Sequence, residues 1–215
     1  VQLVREGKAD IPMKGILQTS NFARAILNKE TGLIPTGGRR LVSQCGIFEY
    51  EGRFVMITDA AINIAPDVET QIGIVENALP VARALGIDCP KVAVLSAVEN
   101  VTDKMPSTVS AKAIAERGVE GCVISGPLAL DGAISMESVK HKAIHDPVAG
   151  QADILLVPFI EIGNVLYKAC TYIAGKTMAS TICGASCPVI ITSRADTPDS
   201  KYYSILMAVL RCLKA

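Results

Sequence analysis

An α/β protein built from βα units is predicted by the way strand-sized apolar runs alternate with longer amphipathic stretches. Half of the 215 residues are hydrophobic, enough for a sizeable core, and one hairpin interrupts the alternation. In chain order, IPMKGI (11–16) reads as the first strand, and QTSNFAR after it as a helix start, with Thr19 or Ser20 as cap and Arg24 in the first turns. CGIFEY and RFVMIT then form a hairpin joined at Glu51-Gly52. TDAAINIAPD (58–67) follows a strand end and carries Asp59 and Asn63. A helix is expected over 67–86, with Pro80 kinking or splitting it. Strands follow at KVAVLSA (91–97), GCVIS (121–125) and DILLVP (153–158). Over 161–174, Ile162, Val165, Leu166, Ala169 and Ile173 recur at helical spacing, Gly175 is a C-terminal cap, and Asn164 and Lys168 fall opposite the stripe. TICGA (181–185) and PVIITS (188–193) are the last strands. A helix over 198–213 closes the order, with Thr197 as N-cap and Pro198 at its first position.

Length allows one large domain or two small ones. Twenty-one basic and 21 acidic side chains balance, so the chain carries no excess positive charge for nucleic acid or an anionic membrane. The apolar runs are too short to span a bilayer, and Arg5, Glu6, Lys8 and Asp10 interrupt any early one. Seven cysteines with no CxxC do not read as a disulfide framework, which points to a reducing, cytoplasmic setting. The opening VQLVREGKAD reads as the last turns of a helix already under way, so a longer native chain is expected.

Several familiar chemistries are rejected on spacing. Gly175-Lys176-Thr177 resembles the end of a phosphate-binding loop, but position 170 is Cys and a helix, not a strand, precedes it. His141 and His145 in HKAIH are spaced i, i+4, yet no further ligand completes a metal set, so no metal is expected. No GxSxG and no GxGxxG occur, and no cysteine has an obvious cationic neighbour. What remains is PVIITSRADTPDSK, an apolar strand running into Ser193-Arg194 and a capped helix start. Ligands of α/β folds sit beyond strand carboxyl ends, and an arginine beside a helix N-terminus suits an anion. Lys14 with Gly15, Arg24, and Lys168 also lie at element ends, so a shared site would be cationic and would suit a phosphorylated or CoA-type substrate.

These stretches carry a resemblance. MKGILQT, TDAAINIAPD, KVAVLSAVE, KMPST, GPLALDGAIS, PVAGQADILLVP, EIGNVLYKA and PVIITSRAD are similar, in order over nearly the whole chain, to the phosphate acetyltransferase/butyryltransferase family. The butyryltransferase branch is the most similar. The resemblance implies two α/β lobes around a cleft, as in isocitrate/isopropylmalate dehydrogenase-like architectures, with residues 1–36 plus 181–215 in a discontinuous first lobe and 37–180 in the second. It implies an acyltransferase that moves a short acyl group, butyryl or branched, reversibly between acyl-CoA and orthophosphate, with no cofactor and no metal. It further implies a homodimer or higher homo-oligomer. On the family's motifs, Ser193 and Arg194 stabilise the oxyanion, and Asp199 is preferred over Asp196 as the base. Lys14, Gly15, Thr19, Arg24, Asp59, Asn63, Asn164 and Lys168 are the expected substrate-binding residues. The alternatives are an acetyl-specific enzyme, a long-chain acyltransferase, a non-catalytic CoA- or acyl-phosphate-binding domain, and, by fold analogy, a decarboxylating dehydrogenase.

Overall fold

The computed structural model describes residues 1–35, 37, 39–193 and 195–214. Its elements run in the order α1 (Gln2–Arg5), α2 (Thr19–Ile26), β1 (Ser43–Tyr50), β2 (Arg53–Thr58), α3 (Val68–Ala84), β3 (Lys91–Leu95), α4 (Pro106–Arg117), β4 (Val123–Leu128), α5 (Leu130–Ile134), α6 (Met136–Lys142), β5 (Ile154–Leu156), α7 (Ile160–Lys168), β6 (Ala179–Cys183) and α8 (Pro198–Leu213), with a π-helical turn, Ala169–Ile173, extending α7.

One six-stranded sheet, in the order β4-β3-β5-β2-β1-β6, organises the chain. β2, β3, β4 and β5 run parallel, while β1 is antiparallel to both β2 and β6. The hairpin forms where expected: Tyr50 pairs with Arg53, and Glu51 and Gly52 both take positive φ, the backbone that a two-residue turn between twisted strands requires. Helices cover both faces. Cys45 and Ile47 of β1 turn toward the layer that holds α3, α4 and Met207 of α8. Phe48, on the alternate face, packs with Val55, Ile57, Met178 and the underside of α7.

The helix after Asp67 continues unbroken through Pro80, contrary to the expected kink or split. Its buried residues, Ile72 to Ala84, pack on the sheet, and that burial outweighs one missing backbone hydrogen bond. α8 begins as the sequence predicts, with Pro198 in its first turn and the Thr197 hydroxyl accepting from Ser200 N at 3.1 Å. Thr197→Ala is therefore expected to lower stability by about 1 kcal/mol, read as a shift in the urea midpoint with unchanged slope.

Two expected strands are not strands. Residues 11–16 and 188–193 join each other by a single bridge, Met13 with Ile190, and 188–193 joins β6 by another, Val189 with Ile182; Pro12 and Pro188 each remove a ladder donor. In α2, Thr19 is the first helical residue and not the cap, which is Gln18, and Arg24 lies in the last turn. α6 ends at Lys142, so His145 lies beyond the helix and the two histidines share no helical face. Gly175-Lys176-Thr177 leads into β6, the reverse of a phosphate loop's strand-to-helix order, and Lys176 pairs with Glu49 at 3.6 Å. A lobe border at 180/181 would cut through β6, whose pairing with β1 runs from Ala179 to Cys183.

Candidate active site

Parallel strands leave a crevice off their carboxyl ends, and here β2 and β5 open onto it. β2 ends at Thr58, and the chain turns at once around Asp59. The Asp59 carboxylate is buried and accepts five hydrogen bonds. Gln44 N (3.1 Å), Ala61 N (2.9 Å) and Ile62 N (3.1 Å) donate to Oδ1, and Asn63 N (3.0 Å) and Asn63 Nδ2 (2.6 Å) donate to Oδ2. Burial pushes this carboxyl above its ordinary range, and the donated bonds pull it back. The second Asn63 amide proton goes to Val42 O at 2.9 Å. Asp59 and Asn63 are thus spent inside the protein. Their hydrogen bonds shape the 60–62 loop, and neither residue lines the cavity described below, where the sequence had placed them at the substrate.

After β5, α7 lies unusually close to that loop. A Cβ on Gly163 would fall 2.5 Å from Asp59 O and 2.9 Å from Ala60 Cα. This close approach sets the helix's rotation. Leu166, Tyr167 and Cys170 pack inward, while Ile162 (46% exposed), Val165 (67%) and Ile173 (86%) remain outside, so the buried stripe is not the one periodicity predicts. Asn164, Tyr167 and Lys168 then face a cavity of about 270 Å³, and Asn164 Nδ2 donates to Ala60 O at 3.3 Å.

The same cavity is lined by Thr19, Gln44, the 60–62 loop, Ser180, Ile182, Ile191, Thr192, Ser193 and Asp196. Of the expected residues it collects Thr19, Asn164, Lys168 and Ser193. Lys14 and Gly15 line an adjoining cavity of about 400 Å³ that shares Thr192 and Ser193 and adds Lys201. Lys14 as a residue is 6% exposed, and its ammonium donates to Gly15 O (3.2 Å) and Leu17 O (3.4 Å); among the described residues no carboxylate pairs with it. It lines the same cavity as Ser193. Arg24 does not join the site: it lines a separate surface hollow with Arg5, Glu6 and Asn21. Arg194 lies outside the described residues.

Around Ser193 the backbone closes a small turn. Ser193 N donates to Asp196 Oδ2 at 2.7 Å, Asp196 N to Ser193 O at 3.2 Å, and Ala195 N to Ser193 Oγ at 3.3 Å. Asp196 therefore sits against Ser193 at the cavity wall, whereas Asp199 is exposed in the first turn of α8 and lines neither cavity. Of the two carboxylates the sequence offered as base, Asp196 lines the cavity and Asp199, the one preferred from sequence, does not. Burial pushes the Cys122 and Cys183 thiols up to about 11, so neither offers a thiolate at neutral pH. Among the described residues no cluster of three metal-ligating side chains occurs. Gln44, Ser180 and Thr192 escaped the sequence reading; the one available signal was a glutamine and a serine inside otherwise apolar strands.

A family model described as phosphate acetyl/butaryl transferase matches residues 1–209. The chain belongs to that family. It is 46% identical over 216 residues to the phosphate butyryltransferase of Clostridium acetobutylicum, covering 98% of this chain and 71% of that protein. To the phosphate acetyltransferase of Thermotoga maritima it is 39% identical over 214 residues, covering 98% and 72%. Among solved structures, a branched-chain phosphotransacylase from Enterococcus faecalis V583 superposes with a TM-score of 0.90 at 41% identity, covering 98% of this chain and 76% of that one. A 4-hydroxythreonine-4-phosphate dehydrogenase from Klebsiella pneumoniae, at a TM-score of 0.53, 13% identity and coverage of 97% and 66%, shares the fold alone. Membership gives the Ser193–Asp196 turn and the Asn164, Tyr167 and Lys168 face of α7 a common setting, the α/β architecture of phosphotransacylases.

Proposed function

We propose that this family member transfers a short acyl group, butyryl or branched-chain, reversibly between acyl-CoA and orthophosphate, giving acyl phosphate and CoA. One observation carries the reading beyond family membership: the Ser193 hydroxyl lies where two cavities meet, with Lys14 on one side and the Asp196 carboxylate on the other. In the forward direction a phosphate oxygen attacks the thioester carbon and a C–O bond forms. The carbonyl electron pair moves onto oxygen, where the Ser193 O–H donates to it. Collapse of this intermediate breaks the C–S bond, and the leaving thiolate takes the proton that Asp196 has removed from the attacking hydrogen phosphate. In reverse, Asp196 accepts the proton of the CoA thiol before attack on the acyl phosphate.

Lys14 holds the phosphate charge, and Arg194, next to Ser193 in the chain, supplies the guanidinium that this reading assigns to the same anion. Lys168 and Asn164 meet the CoA side. The apolar part of the cavity, from Ala61, Ile62, Ile182 and Ile191, takes the acyl chain. Both substrates are held in line, so neither a metal nor another cofactor is required. No helix among the described residues is long and apolar enough to cross a membrane. A cytoplasmic homo-oligomer is part of the proposal. So is a two-lobed organisation, with the second border placed after Cys183 and not at 180. Loss of thioester absorbance is expected to require orthophosphate and to be faster with butyryl- and isobutyryl-CoA than with acetyl-CoA. Binding of CoA without phosphate-dependent turnover of any acyl-CoA would instead identify a non-catalytic binding domain.

A further inference from the structure

One wall of the main cavity carries polar groups for which acyl transfer, as described, has no task. Tyr167 projects from α7 toward the sheet, and its ring lies flush on β1 at Gly46. A Cβ there would fall 2.6 Å from ring carbon Cδ2 and 2.7 Å from Cε2, so only glycine leaves room for the ring. In the β1–β6 register Gly46 stands opposite Ser180, and Gln44 stands opposite Ile182, on the same face of the sheet. Gln44 Nε2 donates to Ser180 Oγ at 2.7 Å, and Ser180 Oγ donates to Ile191 O at 3.3 Å. Gln44 is 5% exposed, and among the described residues its Oε1 is the buried side-chain polar atom without a partner. A lone buried acceptor is costly unless something pairs with it, which points to a polar occupant at this wall. Gln44, Ser180 and Tyr167 all line the cavity that also holds Ser193 and Asp196. Burial, with the nearby Asp196 carboxylate adding to it and a hydrogen bond with the Ser180 side chain opposing it, keeps the Tyr167 phenol well above its usual range, so the group stays protonated at any pH at which the reaction would be run.

We propose that Tyr167 is a second catalytic donor, whose hydroxyl gives a hydrogen bond to the thioester oxygen as it becomes the tetrahedral oxyanion, alongside Ser193. Gly46 is the seat that sets the ring's position, and Ser180 with Gln44 are positioning residues beneath it. No bond of the tyrosine breaks: the proton stays on the phenol oxygen throughout, and the stabilisation is electrostatic. The inference rests on the acyl-transfer reading above.

The test compares butyryl-CoA and phosphate kinetics in wild type, Tyr167→Phe, Gly46→Ala and the double variant. Tyr167→Phe keeps the ring on Gly46 and removes one oxygen, so kcat is expected to fall about a hundredfold while KM for each substrate and the thermal midpoint hold. Gly46→Ala displaces the ring, so it is expected to lower kcat in wild type and to cost nothing further in the Tyr167→Phe background. A Tyr167→Phe enzyme with kcat within about threefold of wild type overturns the inference, as does an equal penalty for Gly46→Ala in both backgrounds. Wild type inactive with every acyl-CoA overturns the acyl-transfer reading itself, which separates the two failures.

Discussion

Ser193→Ala is expected to lower kcat/KM for acyl transfer about a thousandfold while leaving the protein as stable as wild type. The two effects separate because of where the hydroxyl sits. Ser193 is exposed at the cavity, and its backbone, not its side chain, makes the 2.7 Å bond to Asp196 that closes the turn. The only protein donor to Oγ among the described residues is Ala195 N at 3.3 Å, a long bond on the surface that water replaces. Alanine thus removes the hydroxyl that the proposed mechanism assigns to the developing oxyanion, and nothing that holds the segment. The loss appears in initial rates with butyryl-CoA and phosphate, and urea midpoints of the two proteins should coincide. Asp199→Asn serves as the control: an exposed carboxylate in the first turn of α8, it contributes only to the helix dipole, so its rate should match wild type. A serine variant that keeps a tenth or more of wild-type activity would remove Ser193 from the chemistry.

Asp59→Asn is expected to destabilise the fold by about 3–5 kcal/mol, the largest stability effect of any single change proposed for this chain. Five donors converge on its two oxygens, and an amide turns one of those oxygens into a further donor. Whichever way the amide faces, at least two N–H groups are left buried against another N–H. The damage reaches the cavity, because Ala60, Ala61 and Ile62 line it only while Asp59 holds their loop. Urea unfolding should therefore show a large drop in midpoint, and surviving activity should show a raised KM for acyl-CoA. A change below about 1 kcal/mol would mean that the loop is held by its packing against Gly163 and not by the carboxylate.

The parts of this protein that were legible in its sequence are those governed by short-range chemistry. Glu51-Gly52 announces its hairpin because only a two-residue turn with positive φ joins two strands so closely. Thr197-Pro198 announces α8 because a cap hydroxyl and a proline without an N–H both suit a helix start and little else. The serine of the Ser193 turn was likewise visible, at the end of an apolar run beside a helix start. Where the sequence misled, the deciding contact came from far along the chain. Periodicity put Ile162, Val165 and Ile173 inside, but α7 is rotated by the approach of Gly163 to Asp59 and Ala60, about a hundred residues earlier. Asp59 and Asn63 look like polar residues waiting at a strand end, and only the folded chain shows that the Asp59 oxygens and the Asn63 amide protons are already used.

The sequence by itself determined the α/β class, the hairpin, the capped last helix and the family, since each rests on residues close together in the chain or on motifs in a fixed order. The tertiary structure decided which polar groups face the cavity. Asp196 lines it and Asp199 does not, Tyr167 is seated on Gly46, and Gln44 is buried with a free acceptor, because strand register and helix approach, not spacing along the chain, bring those residues to one place.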